Sequence, residues 1–225
     1  MAYMWRTGVH QALSNLVKKN ESGELIDGAG SDIRFAEGIW ERHHAMDDPG
    51  SPIAGGGVFR SGYPAKPETV PTMAQFIKNP KKIPDIFGSA GVKLVSDSVK
   101  HTIESLEPNI HRFYPIDLYW VNGESAERRW ALNICQRIDG VDKEKSSLWE
   151  SRYPVDKPRV GGKLSALMLD HKHKRLVLSA SQISGHHLWY DKYYSGMAAF
   201  LSDDLMAAFK AAKVTGARFT KVDVQ

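Results

Sequence analysis

Residues 93–118 read KLVSDSVKHTIESLEPNIHRFYPIDL, and residues 199–225 read AFLSDDLMAAFKAAKVTGARFTKVDVQ. The two stretches align without a gap at an offset of 106 positions: Ser96 meets Ser202, Asp97 meets Asp203, Arg112 meets Arg218, Phe113 meets Phe219 and Asp117 meets Asp223. Val99, Thr102, Ile103 and Leu106 lie opposite Leu205, Ala208, Phe209 and Ala212. Both sets repeat as i, i+3, i+4, i+7, one face of a helix. Chance gives about one or two identities over such a window at ordinary composition.

The local physics is the same in both copies. A short apolar run (Leu94-Val95; Phe200-Leu201) meets a serine placed as a helix N-cap, its hydroxyl able to accept a free first-turn N–H. Asp97, Asp203 and Asp204 put negative charge at the positive end of the helix. Pro108 stops the first helix, and Thr215-Gly216 turns the second chain out. A β-rich segment follows each. The unit is strand–helix–strand, used twice.

At 225 residues and 42% apolar content, the chain can bury a core, which argues against wholesale disorder. Its net charge of +4 comes from 30 basic and 26 acidic residues interspersed without long single-sign runs. That pattern is a solvated surface rather than a nucleic-acid footprint. One cysteine, Cys135, excludes an intramolecular disulfide, and its setting in RWALNICQRI reads as a buried thiol in a strand. The first residues carry no apolar signal-peptide core, and no run approaches transmembrane length, so the expected location is the cytoplasm.

Along the chain, VHQALSNLVKK (9–19) places Val9, Leu13, Leu16 and Val17 on one helical stripe. Glycine and proline cluster over 47–71, which reads as loop with short strands, and PTMAQFIK (71–78) reads as a short helix opened by proline. LSALMLD and RLVLSA read as a hairpin around the polar turn HKHK. HHLWYD and MAAFLS are further short strands. Few helices among many strands predict an α+β fold, a mixed and mainly antiparallel sheet with a few packed helices, in one domain over 1–225. A parallel α/β sheet is the alternative, because strand–helix–strand units favour crossover connections.

No credible active site emerges. AGGGVF lacks the Lys-Ser/Thr of a phosphate loop, no GxGxxG joins a strand to a helix, and no GxSxG elbow surrounds Ser61. His43, His44, Asp47 and Asp48, then Asp170, His171 and His173, then His186, His187 and Asp191 could converge on a divalent metal. None has a sharp ligand spacing, and lysines surround the second group, so no metal, cofactor or catalytic residue is expected. A metal-dependent hydrolase built from these histidines stays open as an alternative. So does a small nucleic-acid-binding module around Lys78, Lys81 and Lys82 or Lys172, Lys174 and Arg175, which no aromatic RNA-binding motif accompanies.

The order of motifs from Pro84 resembles the immunity-protein family of bacterial polymorphic toxin systems. Pro84-Asp85, Val95-Ser96, Pro115, Leu132-Asn133, Asp139 with Asp142, Ser202 and Gly216 with Phe219 occupy that family's positions. The resemblance covers about residues 84–225 as the family core, leaving 1–83 as a loop-rich N-terminal part. It implies a binding protein that neutralises a toxin encoded beside it, often a nuclease of the His-Asn-His type, with no membrane and no direct nucleic-acid contact. It carries over no site residues. Trp40, Glu41, Asp47, Asp48 and Tyr63, aromatic and acidic residues among loops, are the expected toxin contacts. Ser96 and Ser202 are expected to be structural caps.

Overall fold

The computed structural model describes residues 1–6, 16–17, 33–34, 59, 62, 64–65, 67, 70, 72–76, 79–89, 92–152, 165–169, 175–194 and 198–225. Its strands and helices run β1 (Ala2–Arg6), β2 (Leu16–Val17), β3 (Ile33–Arg34), β4 (Met73–Phe76), β5 (Ile86–Ser89), β6 (Val92–Val95), α1 (Asp97–Leu106), β7 (Arg112–Tyr119) and β8 (Ser125–Asn133). There follow β9 (Arg137–Ile138), β10 (Leu148–Arg152), β11 (Ser165–Leu169), β12 (Val177–Leu178), α2 (Ala180–Ile183), β13 (Leu188–Asp191), β14 (Ala199–Ser202), α3 (Asp203–Ala211) and β15 (Arg218–Val224). Short helices among mixed sheets make this an α+β fold.

The repeat is a repeat of topology. A seven-stranded sheet runs β3-β2-β4-β7-β8-β6-β5, and a six-stranded sheet runs β12-β15-β1-β14-β13-β9. In the first, β4 is parallel to β7, β8 lies antiparallel between β7 and β6, and β5 is antiparallel to β6. The second has the same pattern. There β12 is parallel to β15, β1 lies antiparallel between β15 and β14, and β13 is antiparallel to β14. Each helix therefore crosses over one intervening strand. In the first unit that strand is β8, a hairpin partner of β7. In the second it is β1, supplied by the far end of the sequence. The register agrees on both sides of the inserted strand. Leu132 pairs with Lys93 and Phe113, and Trp5 pairs with Ala199 and Phe219, the same partners displaced by 106.

Alternation along the strands gives each sheet two buried faces. Val95, Leu132, Trp5 and Leu201 turn inward onto α1 and α3, where Val99, Ile103, Leu205 and Phe209 complete a shared central core. Trp5 meets Phe209 edge-on at 6.2 Å. Leu94, Ile116, Leu118 and Ala131 turn to the opposite side of the first sheet, onto Phe76 and Phe87. On the second sheet Met4, Trp189, Phe200 and Val222 do the same. That sheet curls until its ends meet. Val141, just beyond β9, bridges Leu178 of β12, flanked by Ser179 N–H to Gly140 O at 2.9 Å and Asp142 N–H to Val177 O at 2.9 Å. The curl leaves no exposed edge at that seam.

Four expectations fail. RWALNICQRI is not one strand: β8 ends at Asn133 and β9 starts at Arg137, with Cys135 between them and only partly buried. Met73–Phe76 is a strand, not a helix: eight residues are too few to hold a helix alone, and β7 offers a parallel partner that buries Ala74 and Phe76. Leu16–Val17 is a strand paired with β4 and β3, not part of a helical stripe. The expected hairpin of 164–180 does not form, since β11 pairs with β10 and β12 with β15. Val177 and Leu178 are both fully buried, and Leu178 packs with Met4, Trp189 and Phe200 inside the curled sheet. The HKHK tip lies outside the described residues.

Candidate functional site

The polar residues that fold brings together lie at the joint between the two units. Ser96 caps α1, its hydroxyl accepting Val99 N–H at 3.4 Å, and Ser202 caps α3, accepting Leu205 N–H at 3.2 Å. Each serine is gripped by the residue that precedes the neighbouring strand. Ser96 N–H donates to Asp85 O at 2.8 Å, and Ser202 N–H to His187 O at 3.0 Å. Side chains repeat the pairing, with Ser96 Oγ donating to Asp85 Oδ1 at 3.2 Å and His187 Nδ1 lying 2.9 Å from Ser202 Oγ.

The loop after each helix then reaches across to the other unit. After α3, Thr215 accepts Asp85 N–H on Oγ1 at 3.1 Å and donates to Asp85 Oδ2 from N at 2.9 Å and from Oγ1 at 2.6 Å. Beside it Gly216, at φ +91°, packs so closely on the Ile86 carbonyl that a Cβ would lie 2.0 Å from the oxygen. After α1, Glu107 Oε1 accepts His187 N–H at 2.7 Å. The two clamps exchange partners between units, one built on an aspartate and one on a histidine.

Charge is distributed unequally over them. Burial raises the Asp85 carboxyl, but hydrogen bonds from Thr215 and Ser96, with the Arg129 charge, outweigh it and hold the group below the ordinary carboxylate range. Glu107 is buried, and its Oε2 lies 2.7 Å from His111 Nε2. His111 Nδ1 accepts Cys135 N–H at 3.2 Å, so the ring is the Nε2–H tautomer and donates to Glu107. Carboxylate, imidazole and cysteine thus stand in the order of a nucleophile's activating relay. The chemistry does not follow. The ring nitrogen faces the cysteine's backbone, the thiol donates to Asn133 O at 3.4 Å, and burial pushes it up to about 11. A thiol held in that form is no nucleophile at neutral pH.

The histidine groups come apart in the same way. His186 Nδ1 lies 2.8 Å from the Gln136 amide, and His187 serves the α3 cap. Asp191 is spent on backbone, accepting N–H from Gly140, Val141, Tyr193 and Tyr194 at 2.7–2.9 Å. Burial pushes its carboxyl up against the pull of those four donors. Among the described residues no group of histidine, cysteine and carboxylates is placed to hold a metal. His43, His44, Asp170, His171, His173 and Ser61 lie outside the described residues, as do Trp40, Glu41, Asp47, Asp48 and Tyr63.

A family model matches residues 18–224, and its description is immunity protein family, Imm11. The chain belongs to the Imm11 immunity protein family. The match reaches well upstream of Pro84, so the N-terminal part that sequence motifs leave aside belongs to the family region too. Membership gives this Imm11 protein an immunity role. No curated protein matches it. No described helix is long and apolar enough to cross a membrane.

The motif residues of this Imm11 chain now have physical tasks. Asp85, Ser96, Ser202 and Gly216 build the clamps. Asn133 is fully buried and accepts Ala65 N–H at 2.7 Å. Asp142 folds its loop by accepting Glu144 and Lys145 N–H. Sequence reasoning missed Glu107 and His111, and read Thr215 only as a turn residue. The i, i+4 spacing of Glu107 and His111 was the available signal, but it spans the helix end, where helical spacing does not foretell contact.

Proposed function

We propose that this protein neutralises one cognate toxin by binding it, and that the toxin is a nuclease acting in the cytoplasm. The observation carrying this reading is the Imm11 match over residues 18–224. The use of the described polar clusters for holding backbone supports it. A scaffold whose buried acids and imidazoles are committed to its own joint offers a surface, not a reaction. Trp40, Glu41, Asp47, Asp48 and Tyr63 supply the contacts, acids aimed at a cationic nuclease site with aromatic anchors beside them. The inhibitor's net charge of +4 rules out steering by whole-molecule acidity, so the interface is local.

The test is direct. The chain is titrated against the product of the adjacent gene, with toxin activity read in the same samples. Charge reversal at Asp47 and Asp48 weakens the complex while far-UV circular dichroism stays unchanged. An unaffected affinity moves the contacts elsewhere. Raising salt slows association only modestly, and a collapse of the rate would return long-range steering to the account.

A further inference from the structure

Lys93 is 2% exposed in the central core, and no carboxylate pairs with it among the described residues. Its Nζ donates to Tyr190 Oη at 2.8 Å and lies 5.3 Å from the centre of the Trp5 ring. Trp5 is fully buried, and its Nε1–H has no acceptor. Tyr190, itself buried, receives a hydrogen bond from the amine and has its own O–H to give. Lys93 Nζ and Trp5 Nε1 can only donate, and among the described residues the acceptor the amine has is the Tyr190 hydroxyl.

The duplicate shows that the fold does not require this arrangement. Lys93 and Gly88 face each other across β6 and β5. At the matching places of the second unit stand Ala199, 106 positions on, and Tyr190, two residues beyond Leu188 as Gly88 is two beyond Ile86. A methyl group thus serves where Lys93 stands. Burying an ammonium without a counter-charge costs several kcal/mol, and a charge in a core is ordinarily paired.

We infer that Lys93 Nζ, Tyr190 Oη–H and Trp5 Nε1–H form a buried site for one small monovalent anion of chloride size. The anion neutralises the ammonium and accepts the unspent donors. Its probe is chloride itself, exchanged for methanesulfonate at constant ionic strength, with thermal unfolding of the full chain as the readout. Chloride raises the unfolding midpoint of the parent in a saturable way, as a ligand of the native state does. Lys93→Met, similar in length and uncharged, loses that response. Tyr190→Phe keeps the ring, removes one donor and lowers the apparent chloride affinity roughly tenfold. It decides the matter alone if Lys93→Met does not fold. Bromide in crystals gives an anomalous peak within hydrogen-bond reach of Nζ. An equal chloride response in parent and variants, no response in the parent, or water at that position overturns the site.

Discussion

The two units solve one packing problem with different chemistry. In the first, the intervening strand β8 follows β7 through a tight turn, Trp120 N–H closing on Glu124 O at 2.8 Å and Gly123 N–H on Trp120 O at 2.9 Å. In the second, β1 comes from the opposite end of the chain, yet takes the same register between β14 and β15. Sheet geometry is indifferent to the order in which strands arrive. Side chains are not. The first unit places Leu132 and Trp130 where the second places Trp5 and Tyr3, and grips its helix cap with Asp85 where the second uses His187. Topology is repeated while the residues that secure it have diverged.

The largest expected effect tests whether β1 is as integral as β8. Trp5→Ala should destabilise by about 4 kcal/mol, because it empties a fully buried aromatic site. Leu132→Ala, at the matching place, should cost about 3 kcal/mol. Denaturant unfolding checks both. A negligible loss for Trp5→Ala would break the equivalence of the two strands.

Next come the clamps. Glu107→Gln places an amide against His111 Nε2–H or His187 N–H, leaving one buried donor unmet, at about 2 kcal/mol. Asp85→Asn, at a more open position, should cost about 1 kcal/mol. The pair is sharpened by pH. The Asp85 carboxyl is held below its ordinary value of about 3.9, so its contribution is full above that value and fades as pH falls toward the lowered one. Stability measured from pH 6 down to pH 2 should therefore fall less steeply in Asp85→Asn than in the parent. An unchanged slope would remove Asp85 as the acid-sensitive clamp.

Effects as small as that of Asp85→Asn belong to the caps. Ser96→Ala and Ser202→Ala should each cost about 1 kcal/mol, with little change in toxin affinity at saturating protein. A still-folded Ser202→Ala that loses the toxin would make Ser202 a contact.

Much of the second unit was legible because the 106 offset preserves what a helix start needs: a serine, an acid and a stripe of apolar residues. The insertion of β1 was not, because β1 and β8 share no residue at matched positions. Ala2, Tyr3, Met4, Trp5 and Arg6 stand against Arg129, Trp130, Ala131, Leu132 and Asn133. A central strand needs an extended backbone and alternation, which many sequences satisfy. Met73–Phe76 failed for a related reason, since a short apolar run follows the partner that tertiary structure offers. The clamps stayed hidden because each joins residues far apart in sequence, Asp85 with Thr215 and Glu107 with His187. The acids and aromatics expected to meet the toxin fall outside the described residues, and their assignment rests on composition.

Calorimetric titration of the purified chain with its purified cognate toxin, assaying toxin activity at each point, tests the immunity role most directly. Binding should saturate at one to one with a dissociation constant of order nanomolar or tighter, about −12 kcal/mol, and activity should vanish in proportion to the complex formed. Absence of binding at micromolar concentration, or loss of activity at substoichiometric protein with the toxin chemically altered, would contradict it.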